Sequence, residues 1–428
     1  MVQGSGDQPV NEFRRGWRVL LLALAGAATT VSVTLLYSFG ALVLPLQAAH
    51  GWGRAELQLA ISALSAGVVV ASQMAGWFNL RWGLRRVTLV SLVALSLSFL
   101  VLLPLKGSVW WLYLAYFGVP IAGVGATFVT WTELVNQWFE RHRGFALALV
   151  LCGSGLSAAL LPAALTAVIG RWGLQAAWLL MGALPLVLTW PLALAWLRTG
   201  PYAARAASEG PVPAQPRAGV AFAEAVRTRR YWTINLGLTL VVAAVVGVVS
   251  NTVPILRDLG LSAAEASSVF GVFGLALMAG RLASGALIDR FWPPGIAAVV
   301  LSMPAVGCAL LWLATPGVPL PWLVLAVALA GVGAGAEFDL SAFLVAHYFG
   351  LRDYGRLFGL HLGLITLGAM LAPFLFAAMY QASGRYDFML GYGIVACTLG
   401  PLLLLTLGRP RLLAEPAPSA AHCAPAAP

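Results

Sequence analysis

The side chains best equipped for chemistry in this chain stand alone inside long apolar runs. Arg281 lies within FGLALMAGRLASGALIDRF, residues 273–291, eight residues before Asp289. In a helix that spacing is about 12 Å. With Asp289 at a membrane boundary, Arg281 falls near the bilayer midplane. An arginine there costs at least about 2.5–3.5 kcal/mol on insertion scales, so it must face the protein interior and find an anion. Its guanidinium is a fork matched to the two oxygens of a carboxylate. Gly274, Met278 and Gly285 share its helix face and leave room around it.

Two kinds of anion fit. One is a small carboxylate substrate; the other is Glu337 or Asp339, both in a later apolar run. Those two acids are two residues apart and point about 200° from each other on a helix, so they have different roles. One faces a cavity or pairs with Arg281 while the other packs on a neighbouring helix, and each is a candidate proton carrier. Thr30, Thr34 and Tyr37 form a polar stripe at i, i+4 and i+7 on an apolar helix. The stripe faces inward, either for hydrogen bonds between helices or to line a cavity. Asn251, just before Pro254, carries the same two readings. His361 is charged or neutral near physiological pH. It either holds an anion and carries a proton, or packs as a neutral hydrogen-bonded ring. Glu133 is expected to pair with Arg141 or Arg143. The series Gly331, Gly333 and Gly335 is expected to allow close helix packing.

No Ser/His/Asp set, metal-ligand spacing or Gly-rich phosphate loop appears, and the four cysteines have no metal or redox spacing. The chain is therefore not expected to be an enzyme, to hydrolyse ATP, or to hold a metal or cofactor.

The elements that position these residues follow from composition. Of 428 residues, 60% are hydrophobic and only 9% charged, against roughly 25% charged in soluble domains. Apolar runs of the roughly 20 residues needed to cross the bilayer recur along the chain. The short alternating segments of a membrane β-barrel are absent. The expected fold is all-α, with twelve spans near 17–46, 55–79, 86–105, 109–137, 145–169, 175–197, 231–256, 264–288, 296–315, 321–347, 356–380 and 388–407. Residues 1–16 lack the features of a cleaved signal, so the first span is retained as an anchor.

The net charge of +10 is explained by topology rather than by nucleic acid. If the N-terminus is cytoplasmic, nineteen basic residues fall in inner segments and five in outer ones, with Arg281 embedded. This positive-inside bias puts both termini in the cytoplasm of a bacterial inner-membrane protein. Residues 199–230, rich in Pro, Gly, Ala and charge, read as a cytoplasmic linker between a bundle at 17–198 and a second at 231–408. Residues 1–16 and 409–428 read as tails, the latter disordered by composition.

The halves repeat. A shift of 209 pairs Pro45 with Pro254, Gly51 with Gly260, Glu56 with Glu265, Gly76 with Gly285 and Arg81 with Arg290. A shift of 211 pairs Gly144 with Gly355, Pro162 with Pro373, Gly173 with Gly384 and Gly182 with Gly393. Parallel six-helix repeats put a substrate site at their interface near the midplane and alternate its access by rocking.

At this point the chain resembles the major facilitator superfamily over nearly all of residues 17–408. The segment GWFNLRWGLRR after span 2 keeps Gly76, Arg81, Gly83, Arg85 and Arg86 of the superfamily's gating motif, with Leu80 in place of its acid. The second copy keeps Gly285, Asp289 and Arg290. A narrower resemblance, to the oxalate/formate antiporter and monocarboxylate porter branch, rests on LYSFGALVLPLQ, WFERHRGFALAL, GRLASG and GAEFDLSAFLVAHYFGLRDYG. It implies that an arginine four residues before the span 8 glycine, here Arg281, binds the substrate carboxylate. Dicarboxylate antiporters of the branch also carry a lysine in span 11 after a Tyr-Gly pair. Here Tyr354–Gly355 leads to His361 instead, and the chain's one lysine is Lys106. A single fixed cation suits one carboxylate.

The expectation is a monomeric secondary transporter of a small monocarboxylate-type anion, driven by protons or by exchange with a counter-substrate. The alternative is a drug or metabolite effluxer of the same fold. Against that reading, spans 1 and 2 lack the membrane-embedded acids that cationic-drug exporters use.

Overall fold

The computed structural model describes residues 10–105, 107–139, 143–198, 200, 219–288, 290–350 and 352–408, without the side chains of Val10, Asn11, Leu80 and Arg143. Among them the chain is helical throughout. The first half contains α1 (Val10–Ala28), α2 (Val31–His50), α3 (Arg54–Trp82), α4 (Leu84–Ser98), α5 (Trp110–Ala122), α6 (Phe128–Trp138), α7 (Arg143–Trp172), α8 (Leu174–Leu184) and α9 (Trp190–Trp196). A short α10 (Phe222–Ala225) precedes α11 (Arg229–Asp258), α12 (Ala263–Ile288), α13 (Pro293–Trp312), α14 (Leu320–Phe349), α15 (Tyr354–Ser383) and α16 (Asp387–Leu405).

Among the described residues, eleven helical segments are long and apolar enough to cross a membrane, and α5 is a shorter apolar helix. Three passes are interrupted. The first breaks between α1 and α2 at Thr29–Thr30, where Thr30 Oγ1 donates to Gly26 O (2.8 Å) and to Ala126 O (3.2 Å). The fourth is α5 and α6 joined through a tight turn at Val124–Ala126, and the sixth is α8 and α9 joined through a wide turn at Pro185–Thr189. Hydroxyls satisfy the carbonyls freed at such breaks, as hydrocarbon requires. Thr189 bonds both Thr29 (2.7 Å) and Ala25 O (3.3 Å).

The repeat is visible as local structure. Glu56 accepts from the Gly53 amide at 2.7 Å to cap α3, and Glu265 accepts from the Ser262 amide at 2.8 Å to cap α12. Pro45 and Pro254 sit inside α2 and α11, and Pro162 and Pro373 inside α7 and α15. Gly51 and Gly260, which end the preceding helices, both have positive φ.

The buried apolar residues form two cores, one drawn almost wholly from residues 19–197 and one from residues 225–407. Val246 of α11 packs into the first and Ala158 of α7 into the second, so the halves are stitched through these helices. Lipid gives helices little hydrophobic reason to associate, so close backbone approach at small residues does more of the work. Alternate glycines of α14 serve different partners. A Cβ on Gly335 would lie 2.0 Å from Leu277 O of α12, whereas one on Gly333 would meet Pro304 of α13 at 2.3 Å. Between the halves, a Cβ on Gly274 of α12 would strike Ala159 N and Gly155 O of α7 at 2.3 Å.

The chain end of the linker is strapped to the second half. Val220 N donates to Phe349 O (2.8 Å), Phe222 N to Asp353 Oδ2 (2.8 Å), and the Arg356 guanidinium lies 4.5 Å from the Phe222 ring. We call the side carrying residues 10, 229 and 408 the terminus end, and the opposite side, with the loops at 51–53, 259–262 and 384–386, the far end.

Candidate functional site

Arg281 is buried on α12, seven residues before its terminus end. The glycine-mediated contact of α12 with α14 brings its Nε to Asp339 Oδ2 at 3.0 Å and to Gly335 O at 3.3 Å. Gly335 and Asp339 are one turn apart, so a single face of α14 supplies both acceptors. Arg281 Nη1 is buried and has no hydrogen-bond partner among the described residues. Half of the fork is therefore committed and half is free.

Glu337 lies between those two acceptors in sequence yet also stands in the field of Arg281. It is 7% exposed, and its Oε2 has no hydrogen-bond partner among the described residues. The two acids do have different environments, as their angular separation requires. Asp339 is ion-paired and 30% exposed, whereas Glu337 is sealed in. A buried donor and a buried acceptor that each lack a partner are a costly arrangement that a hydrogen-bonding ligand or a proton relieves.

The opposing wall comes from the first half. Half-buried Tyr37 of α2 lies within electrostatic reach of both Glu337 and Arg281, and its ring packs 6.0 Å from that of Phe273. Cys152 of α7 lies within reach of Arg281 and Asp339. Met278, one turn from Arg281, meets Gly155 of α7. The face of α12 that carries Arg281 is thus the face between the halves. Toward the terminus end, Gly144 of α7 and Gly285 of α12 have open space where a Cβ would stand.

The other polar residues singled out from the sequence have hydrogen-bond partners of their own. Thr34 is buried and donates to Val31 O of its own helix at 3.2 Å. Asn251 donates to Gly247 O (2.9 Å) and to Ser250 Oγ (3.2 Å) and lines a cavity at the far end. By helix rise it is roughly 16 Å from Arg281 in depth. His361, seven residues into α15, matches Arg281 in depth but turns toward α11. Its Nδ1 is 2.9 Å from Asn235 Oδ1. The amide of Asn235 is oriented by donation from Nδ2 to Tyr231 O at 2.8 Å. The oxygen must accept, so Nδ1 carries the proton and buried Nε2 is left without a hydrogen-bond partner. Asn235 gave no signal in the sequence beyond being a polar residue in an apolar run.

Of the gating motif, Arg81 stacks on Trp77 at 5.5 Å and Arg85 donates to Leu194 O at 3.3 Å. Gly83 begins α4 with positive φ. Asp289 lies outside the described residues, as do Lys106, Arg141 and Cys423. Glu133 accepts from Asn79 Nδ2 at 2.9 Å.

Polar contacts between the halves gather at the far end. Gln58 of α3 donates to Ser250 of α11 at 2.7 Å, and Thr166 of α7 bonds Ser267 of α12 at 2.6 Å. Outermost, Arg54 at the start of α3 grips both carboxylate oxygens of Asp258 at the end of α11. The sequence marked Arg54 only as a basic residue of a loop.

Two pseudo-repeated helical bundles meeting over a buried, half-satisfied cation define a membrane transport protein. The comparisons agree. The chain matches the Major Facilitator Superfamily family model over residues 19–373 and again over 239–426, and it belongs to that superfamily. It is 30% identical to Monocarboxylate transporter 11 of Homo sapiens over 423 residues, which is 95% of this chain and 86% of that protein. It is 28% identical over 151 residues to the uncharacterized MFS-type transporter YcxA of Bacillus subtilis, 35% of this chain and 36% of that one. Among solved structures, a D-xylose-proton symporter superposes with a TM-score of 0.68 at 16% identity, over 92% of this chain and 97% of the other. A bacterial homolog of the human lysosomal transporter Spinster does so at 0.61 and 18% identity, over 94% and 96%.

Proposed function

We propose that the protein carries small monocarboxylates by alternating access, its two halves (residues 17–198 and 231–408) rocking about the Arg281 site. The observation that carries this reading is Nη1 of Arg281, a guanidinium donor buried with no hydrogen-bond partner among the described residues. The likeness to a monocarboxylate transporter along 95% of the chain supports the same substrate class.

On this reading the substrate carboxylate docks on Arg281 against Tyr37, and its apolar remainder lies toward Phe273. Asp339 is the group it displaces. A carboxylate that gives up its cation inside the membrane takes a proton, which couples anion to proton at one site. Exchange without a net proton is the outcome when a second carboxylate resets the site instead. The terminus end faces the cytoplasm of a bacterial inner membrane and the far end faces outward, as the basic residues of the loops favour.

Reconstitution tests this directly. Proteoliposomes holding the full chain should take up labelled pyruvate, lactate or a longer monocarboxylate, faster with an inward proton gradient, and Arg281→Gln should abolish it. Transport of lipophilic cations with no uptake of any carboxylate would overturn the reading.

A further inference from the structure

Arg54 is more elaborately held than a loop arginine needs to be. Its Nη1 and Nη2 take the two oxygens of Asp258, the Nη2 contact at 2.7 Å. Nη1 also donates to the Tyr386 hydroxyl at 3.0 Å, and Nε to Gln47 Oε1 at 3.3 Å. The rings of Tyr380 and Tyr386 each lie 5.8 Å from the guanidinium carbon. Gln47 and Arg54 belong to the first half, whereas Asp258, Tyr380 and Tyr386 belong to the second.

Opening the far end therefore strips Arg54 of its anion and both rings together. What remains is a guanidinium fork at the mouth, steadied by Gln47, whose complement is a carboxylate. As a lock alone the pair is a weak choice. Asp258 is 46% exposed, and ion pairs open to water contribute little. The neutral Gln58–Ser250 bond one turn deeper closes the same seam without charge. Arg54 also lines a small cavity with Gln58, Asn251, Phe376, Tyr380 and Met389, residues of both halves. Its polar groups are two guanidinium cations (Arg54, Arg385), two amides and two tyrosine hydroxyls, with no carboxylate among them, and its other walls are apolar and aromatic.

We infer that Arg54 is an outer receiving site for the carboxylate substrate, with Asp258 standing in for that carboxylate in the closed state. The anion takes the place of Asp258 on the fork as the mouth opens, and Asp258 retakes it behind the departing substrate. This inference rests on the monocarboxylate reading and adds a second binding site to it, on the opposite half from Arg281.

The two partners of the pair separate a receiving site from a simple latch. Losing either one breaks the latch equally, but only loss of Arg54 removes the receptor, and loss of Asp258 removes its competitor. In oriented proteoliposomes, pyruvate uptake from the far end should show KM raised roughly tenfold or more in Arg54→Gln, as expected when a charged hydrogen-bonding partner of the anion is lost. In Asp258→Asn the same KM should fall. Arg54→Lys, which keeps charge without the fork, should lie between wild type and Arg54→Gln. KM for efflux from the terminus end should stay within about twofold in all three, because the substrate then reaches Arg281 first. Equal shifts of the same sign in Arg54→Gln and Asp258→Asn would make the pair a latch only and overturn the inference while leaving the transport reading intact. Wild-type vesicles that carry no monocarboxylate would overturn both.

Discussion

Removing the Arg281 guanidinium has two consequences of different size, and a second substitution separates them. Arg281 Nε serves Asp339 and Gly335 O, and buried Nη1 serves no partner among the described residues. In Arg281→Gln the incoming anion loses that donor. A hydrogen bond to a charged group contributes about 1.5–3 kcal/mol, so affinity should fall roughly 10- to 150-fold. The folded protein is also weakened, because Asp339 loses its ion-pair partner and Glu337 a nearby cation. Stranding one member of a buried pair costs about 3–5 kcal/mol. Asp339 is 30% exposed and can recover water, which brings the expected cost to about 1–3 kcal/mol. Adding Asp339→Asn removes the stranded carboxylate. The double variant should regain most of the thermal midpoint of wild type and none of the carboxylate affinity. Thermal unfolding of the detergent-solubilised chain, with and without pyruvate, reads both quantities in one experiment. Affinity within about twofold of wild type in Arg281→Gln would remove Arg281 from the site. Recovery of transport in the double variant would make it a structural ion pair and nothing more.

Four other outcomes are expected. Gly335→Ala forces α12 and α14 apart, since its Cβ would stand 2.0 Å from Leu277 O; uptake should collapse while the variant still inserts, as measured by transport alongside membrane yield. Asp339→Asn should still exchange one monocarboxylate for another but lose accumulation driven by a proton gradient, whereas His361→Gln, whose amide can still bond Asn235, should keep the wild-type pH profile of uptake from about pH 5 to 8. A flattened profile in His361→Gln would move the proton to the histidine. Reporter fusions at residues 215 and 428 should both read as cytoplasmic, and a periplasmic signal at either would invert the assigned orientation.

The passes through the membrane were legible because hydrocarbon imposes length and apolarity on every one of them. That Arg281 turns inward to an acid was legible for the same reason, since a guanidinium in an apolar run has to be accounted for. Its immediate partner was narrowed to two acids and no further. The choice of Asp339 depends on Gly335, Gly331 and Gly280 letting two helix backbones approach, and thus on the azimuth of α14, which periodicity does not supply for a helix apolar on all sides. The bond of His361 to Asn235 and the distance of Asn251 from Arg281 were illegible for a related reason. Residue type says that a polar group must be satisfied, but the neighbouring helix decides by whom.

Arg54 was missed on different grounds, and the repeat supplies the signal that would have found it. Pairs that survive the 209 shift, such as Pro45 with Pro254 and Glu56 with Glu265, proved to be helix-interior prolines and helix caps, parts of the framework that both bundles share. The same shift sets Arg281 opposite Ser72, Arg54 opposite Ala263 and Asp258 opposite Ala49. None of these three has a chemical counterpart in the other half. A bundle needs no charge at such positions, since its twin folds with a small neutral residue there. The charge must then answer to something the halves do unequally, which in a transporter is to hold the cargo and to part around it. On that argument the cation at the midplane and the cation at the mouth belong to one pathway, and the KM asymmetry between Arg54→Gln and Asp258→Asn is the measurement that joins or separates them.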